Sequence, residues 1–411
     1  MKILFTCESV SLAHIGRPLM LAKWANENGM EVHFACSEEG LKKANISASE
    51  FSFHPLPTID SNLFYQRVNQ GKFFYKVDEL KKYVANEVAM IRRINPDLIV
   101  SDFRLTTSIS SALTNKPLLN LSNSFWSPNY ECPFPAPEEG IFKFLPQRTS
   151  EILFNLMRPL AFKFFGKELN QARKHFGLDL KSDFREHYTA GTFTAYLDLP
   201  EFVTIKSLPF NHFYLGPVIW SPKVENKSYK IKEKNNVYIS MGSTGNNSLL
   251  LVAMQAALEN QLNIIISGVS VAEKLKLQKE YPQITANCII EPLIDAEEIL
   301  PYCSVTICQG GSGTVYQSVA NGVPVLCLPK NPDQGLVSLA VSQRNIGRGI
   351  SYRQVNRETI SSMIKECLLN EIVHQSTKKM QGEIKDWNTR LHWLRFLDTF
   401  STNSKTTKIF A

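Results

Sequence analysis

The residues with the clearest capacity for chemistry in this chain are a histidine, an aspartate and a glycine-rich turn. His14 follows an apolar run at residues 2–7, and Asp102 ends another at residues 98–102. An imidazole oriented by a carboxylate is a general base: it takes a proton from a hydroxyl while the carboxylate stabilises the imidazolium. Each residue taken singly has an ordinary reading, as a helix or loop histidine with no chemical role and as an aspartate where a strand breaks into a loop. The turn lies in residues 302–334, YCSVTICQGGSGTVYQSVANGVPVLCLPKNPDQ. Its pattern predicts a buried strand at 305–308, a turn at 309–313, a helix at 314–321, a strand at 325–328 and a polar loop with Asp333 and Gln334. A strand that enters a helix through Gly310, Gly311 and Gly313 leaves unpaired backbone N–H groups on the first helical turn. No Cβ holds a ligand away, and the helix end is partially positive, so the place suits a phosphate or pyrophosphate. A tight connection with no ligand is the plainer account of such a turn. The Asp333–Gln334 pair at the same sheet edge weighs against it.

The elements that must position these residues alternate. Strands are predicted at 2–7, 31–36, 51–56 and 98–102, with helices at 18–28 and 77–94. This is the pattern of an α/β, doubly wound parallel sheet, in which strands 1 and 4 lie side by side and ligands bind beyond their carboxyl ends. His14, on the loop after strand 1, and Asp102, at the end of strand 4, are therefore expected to meet at one switch point. Residues 237–241 open a second such domain, with further strands at 263–267, 288–291 and 305–308. The turn Ser243-Thr244-Gly245 is expected beside the 309–313 turn, with Ser243, Ser312 and Thr314 adding hydroxyl donors to a diphosphate cradle.

Between the two patterns the periodicity weakens. Phe64, Tyr65, Phe73, Phe74 and Tyr75, then Phe125, Trp126, Tyr130 and Phe134, form aromatic clusters that suit the wall of a pocket for an apolar or sugar-like molecule. Core packing is the simpler account. Residues 141–176 mix apolar and basic side chains at helical spacing, which fits either a membrane-surface helix or a helix packed on the sheet. The Pro-punctuated run at 208–222 and the polar run at 223–236 read as an interdomain linker. A last helical stretch is predicted at 373–400, with Trp387, Leu391, Leu394 and Leu397 on one face.

Composition narrows the class. A chain of 411 residues exceeds what one core usually supports, so two domains are expected. The net charge of +7 is spread along the chain and does not argue for nucleic acid. Eight cysteines show no CxxC pair and no histidines at zinc spacing, so they read as reduced core thiols in a cytoplasmic protein. The first strand begins at once after Met1, which leaves no room for a signal peptide, and no run is long and apolar enough to span a bilayer.

The segments KILFT, AHIGRPLMLA, LIVSDF, YLGPVIW, VYISMGSTG and GGSGTVYQSVANGVPVLCLPKNPDQ carry a resemblance over nearly the whole length. The chain resembles the GT-B glycosyltransferases of the group that includes the UDP-glucuronosyltransferases and the bacterial macrolide and antibiotic glycosyltransferases. The resemblance implies two Rossmann-like domains facing across a cleft. Residues 1–207 would bind the acceptor, 208–236 link, 237–385 bind the nucleotide sugar, and the helix within 386–411 return to the N-terminal domain. It implies His14 as the catalytic base and Asp102 as its partner. Ser243, Thr244 and Gly245, with Gln309, Gly310, Gly311, Ser312, Gly313 and Thr314, would contact the donor diphosphate, and Asp333 and Gln334 the donor sugar. Arg17, Phe64, Phe125 and Trp126 are the acceptor-side candidates.

Such enzymes invert the anomeric centre, need no metal or other cofactor, and use a nucleotide-activated sugar, here of UDP or dTDP type. The sequence has no Asp-x-Asp motif. It departs from the family pattern at Gln309, where histidine is common, and at residues 290–293, which lack the aromatic nucleobase shelf. It departs also at Arg17, which could bind an anionic acceptor or pair with a nearby carboxylate. The expected activity is transfer of a sugar to a hydroxyl of a small apolar or aromatic acceptor. Two alternatives stay open: a catalytically silent nucleotide-sugar-binding accessory protein, and a membrane-surface transferase acting on a lipid.

Overall fold

The computed structural model describes residues 1–47, 50–137, 142, 144–224, 229, 231–233, 235–241, 247–286 and 288–403. The chain divides into two compact units. One holds Met1–Cys132, Leu156–Val218 and the segment from Asn388; the other holds Pro133–Asn155 and Ile219–Trp387.

The first unit is built on a seven-stranded parallel sheet. Its strands are β1 (Lys2–Cys7), β2 (Glu31–Cys36), β3 (Ser52–Pro55), β4 (Leu98–Asp102), β5 (Leu118–Ser122), β6 (Phe193–Tyr196) and β7 (His212–Tyr214), in the order β3-β2-β1-β4-β5-β6-β7. The central strands are apolar on both faces because helices cover both sides, as parallel sheets require. The chain runs outward from β1 to β3, then returns to place β4 on the other side of β1. Cys7 pairs in register with Asp102, so the two strands stop level at the switch point.

The second unit carries β8 (Asn236–Ser240), β9 (Asn263–Ser267), β10 (Ile289–Glu291), β11 (Cys303–Cys308), β12 (Val325–Cys327) and β13 (Gly347–Gly349), all parallel, in the order β10-β9-β8-β11-β12-β13. Its core is aliphatic, from Val237, Ile239, Ile264, Ile266, Val305 and Ile307 on the strands to Met254, Ile360 and Ile364 on the covering helices.

Several elements differ from the sequence reading. The first helix spans Leu12–Glu27, with Pro18 inside it, so His14 sits in a helical turn and not in a loop. Proline favours a first-turn position, which is why the pattern pointed to a start at Pro18. Here its missing N–H instead leaves the His14 carbonyl without an i+4 donor. Strands β5, β6, β7 and β13 are short, and the run read as a linker contains β7. The C-terminal stretch is two helices, Glu371–Trp387 and Thr389–Asn403, broken at Asn388 in the left-handed region (φ 50°). The buried face of the second helix is Trp393, Phe396, Leu397 and Phe400, while Leu391 is exposed. Trp393 Nε1 donates to Leu21 O at 2.9 Å, tying that helix to the first.

Two histidines of the first unit titrate with folding. Burial, with the Arg173 and Lys181 cations nearby, pushes His187 down to about 3, and burial pushes His212 down to about 4. Both stay neutral in the fold, whereas an unfolded imidazole titrates near about 6.5. The unfolded chain binds more protons between these values, so stability falls as pH drops below about 6.5. Urea unfolding compared at about pH 7 and about pH 5 is expected to show a loss of about 2 kcal/mol from His187 and a smaller one from the partly solvated His212, and His187→Gln should remove its share of the pH dependence.

Candidate functional site

At the end of β4, Asp102 is buried and makes two ion pairs. His14 Nδ1 lies 2.8 Å from Asp102 Oδ1. Arg17 grips the same carboxylate with two donors, Nε to Oδ2 at 2.9 Å and Nη2 to Oδ1 at 2.7 Å. Its third nitrogen, Nη1, donates to Asn123 Oδ1 at 2.9 Å, and Nη2 also lies 2.9 Å from His14 Nδ1. His14 and Arg17 are three residues apart on one helix, so they share a face and reach one carboxylate together. With a proton on Nδ1 donated to Asp102, the lone pair of His14 sits on Nε2, which has no partner among the described residues. That is the arrangement of a general base.

The ring of His14 lies flat on Phe103, centroids 4.4 Å apart at 12°. Phe103 follows Asp102 directly and adopts the left-handed region (φ 57°), costly for an aromatic residue. The reversal turns its ring back over the imidazole. Phe103 also touches Phe64, Phe74 and Tyr188, and Tyr188 stacks on Trp126 at 4.9 Å and 5°. Two of the aromatic candidates, Phe64 and Trp126, thus belong to a cluster that reaches His14. Phe125 is a packed core residue. Arg17 is buried as the counter-ion of Asp102, which answers the open choice between acceptor contact and a nearby carboxylate in favour of the carboxylate.

Beneath this pair lies a set of buried charges that the sequence did not reveal. Glu8 donates its N–H to Asp102 O at 3.1 Å, and its carboxyl accepts from the Tyr75 hydroxyl. Arg104 Nε donates to Glu87 at 2.6 Å, with Thr106 and Ser110 completing that carboxylate at 2.6 and 2.5 Å. Arg104 lies 3.8 Å from Glu8, yet burial still pushes the Glu8 carboxyl above its usual range. The only trace in the sequence is a charged residue just past each of two apolar strands.

In the second unit, β11 runs through Gln309 and Gly310 into the helix Ser312–Ala320, whose N-cap is Gly311 with no capping side chain. With no capping side chain there, the helix start offers an anion its backbone dipole and its partial positive charge. The glycines divide by role. Gly310 has φ +85°, and a Cβ there would meet Gln334 O at 2.7 Å. A Cβ on Gly311 or Gly313 would meet nothing within 4 Å, which leaves room over the helix end. Ser312 and Thr314 lie half-buried in the same turn. The Gln309 side chain is buried, its Oε1 accepting from Gln334 Nε2 at 3.4 Å. Ser243, Thr244 and Gly245 lie outside the described residues.

Asp333 and Gln334 are not in a loop: they occupy the first turn of the helix Pro332–Gln343. Asn331 and Gln334 form its capping box, Gln334 N donating to Asn331 Oδ1 at 2.9 Å and Gln334 Oε1 accepting from Asn331 N at 3.4 Å, with a further bond from Lys330 N at 2.9 Å. The Asn-Pro-x-Gln spacing was the available signal. Residues 133–155 also pack here. A Cβ on Gly335 would meet Pro135 at 3.0 Å, and Arg353 donates to the carbonyls of Phe142 and Leu145. A cavity of about 160 Å³ opens between this segment and the helix, lined by Glu151, Lys330, Ser338 and Arg353 among others.

Comparison with known proteins places this geometry. The glycosyltransferase family 28 C-terminal domain matches residues 236–391. A PGL/p-HBAD biosynthesis glycosyltransferase of Mycobacterium tuberculosis is 32% identical over 92% of this chain and 87% of its own length. A PGL/p-HBAD biosynthesis rhamnosyltransferase of Mycobacterium bovis is 30% identical over 92% and 83%. The solved structure of the spinosyn rhamnosyltransferase SpnG complexed with thymidine diphosphate superposes with a TM-score of 0.66 at 18% identity, covering 97% of this chain and all of that one. With relatives of this extent the chain belongs to the glycosyltransferases that include the PGL/p-HBAD enzymes, and its two parallel-sheet units have the GT-B fold.

Proposed function

We propose that this glycosyltransferase moves a sugar from a UDP or dTDP sugar to a hydroxyl of a small apolar or aromatic acceptor, with inversion and without a metal ion. The observation that carries the reading is the His14–Asp102 contact at 2.8 Å with Nε2 left for a substrate. His14 takes the acceptor proton as the oxygen attacks the anomeric carbon from the face opposite the diphosphate. The bond to the diphosphate breaks, and its electrons pass to the departing phosphate oxygen. Asp102 stabilises the imidazolium, and Arg17 holds Asp102.

The leaving diphosphate is held at the start of the helix by Gly311, Ser312, Gly313 and Thr314, where the helix end is partially positive, with Gly310 setting the turn. Ser243, Thr244 and Gly245 complete the cradle. Gln309 carries no charge, so the backbone and the helix end bear the stabilisation of the leaving group. Asp333 and Gln334 bind sugar hydroxyls. A thymidine diphosphate complex of SpnG and the naming of a relative as a rhamnosyltransferase favour a dTDP-sugar for the first assays. The aromatic cluster that reaches His14 supports an aromatic acceptor, and eight free thiols suit a reducing cytoplasm.

His14→Ala is expected to lower kcat by about 100-fold or more, the usual contribution of a general base, with the donor Kd within a few-fold by calorimetry. Unchanged transfer at saturating substrates would remove His14 from the mechanism. Arg17→Met should lower kcat and alter the pH profile, and Arg17→Lys should restore part of the rate; equal rates for both would leave Arg17 a packing residue. Gly313→Ala is expected to leave the melting temperature unchanged while weakening donor binding about tenfold or more, because the new methyl stands over the phosphate site. Gly310→Ala should instead lower the melting temperature, since its Cβ meets the Gln334 carbonyl.

A further inference from the structure

The helix Gln147–Phe165 passes from the second unit into the first, and its later turns face the wrong way for a soluble protein. Leu156 is 77% exposed, Leu160 73%, Phe164 59% and Met157 45%. At about 100° per residue these four side chains fill one arc of about 100°, with Lys163 beside it. The inward side is held by Phe162, which is buried against Trp126 and Arg185, and by Arg158, which donates to Cys132 O at 3.1 Å. A surface helix ordinarily buries its apolar stripe and shows water its charges. Here the large apolar side chains stand in water, which marks an interaction surface.

The charge around this stripe identifies what it meets. Residues 152–167, ILFNLMRPLAFKFFGK, contain no aspartate or glutamate. Lys163 and Lys167 are exposed, one at the rim of the stripe and one just past the helix end. Apolar side chains with cations at their edge match the boundary between anionic headgroups and acyl chains, where such helices lie in the plane of the membrane. No helix among the described residues is long and apolar enough to cross a bilayer, so the contact is one of lying on the surface.

We propose that Leu156, Met157, Leu160 and Phe164 rest in the surface of an anionic lipid bilayer, with Lys163 and Lys167 against its phosphates. The contact is independent of the transfer chemistry. It would bring the enzyme to acceptors that partition into lipid.

The test uses the full chain with sedimenting vesicles of phosphatidylcholine alone, or with about one-third phosphatidylglycerol. Pelleting with the anionic vesicles is expected, weakening as salt rises. Leu156→Ser with Leu160→Ser should reduce partitioning by about tenfold or more, and Lys163→Glu with Lys167→Glu by a similar factor. Because all four residues are exposed, melting temperatures should not move. His14→Ala should bind as the unaltered chain does, which separates failure of this contact from failure of the catalytic assignment. The proposal is overturned if the anionic vesicles pellet no protein or if the serine variant pellets equally. It is overturned also if sedimentation velocity shows a dimer that the serine variant abolishes, which would assign the face to a second copy of the chain.

Discussion

A carboxylate buried at the end of a central strand is costly unless a cation meets it, and much of the first unit is arranged around that requirement at Asp102. Arg17 meets both oxygens from the helix after β1. The bidentate fork fixes the carboxylate plane, which in turn fixes where His14 Nδ1 can find an acceptor. The imidazole is thereby aimed by two residues acting together. One consequence is that Asp102 is shared: its charge is largely answered before the histidine takes a proton. The imidazole is thus well oriented but offered a carboxylate that another cation already occupies.

Sheet geometry makes this arrangement reachable. Parallel pairing of β1 with β4 brings residues 88 positions apart to adjacent strand ends, and the helix that follows β1 starts within reach of both. The phenylalanine after Asp102 accepts a left-handed backbone and covers the imidazole, a local cost placed at the strand end. Glu8 and Arg104 extend the same logic one layer down. Their main partners inside the unit are Tyr75 for Glu8 and Glu87 for Arg104, while Glu8 Oε1 and Arg104 Nη1 are buried without a hydrogen-bond partner among the described residues.

Much of this was legible in the sequence because it rests on short-range pattern. The alternation of strands and helices, the central position of β1 and β4, and the glycine turn after β11 follow from apolar runs and glycine spacing. The meeting of His14 with Asp102 follows from topology. What escaped has a common cause in tertiary contact. The helix start before His14 was hidden by Pro18, whose preference for a first turn is overridden by packing of the turn ahead of it. The left-handed Phe103 has no signal in a residue type that avoids that region. β5 to β7 are too short for their alternation to stand out, and residues 133–155 join the second unit through contacts such as Pro135 on Gly335 that no periodicity announces. Gln334 shows the same limit from the other side. Its place in a capping box was readable from Asn331 and Pro332, but its bond to Gln309 was not.

That last contact has a bearing on how the enzyme could be re-engineered. The Gln334 carbonyl lies where a side chain on Gly310 would begin, and the two glutamines touch through their amides. The 309–313 loop and the helix Pro332–Gln343 are thus one interlocked cassette. A chimera that transplants only the glycine loop from another enzyme would inherit a mismatched bearing surface, whereas exchange of the whole block from β11 through the helix Pro332–Gln343 carries its own fit along.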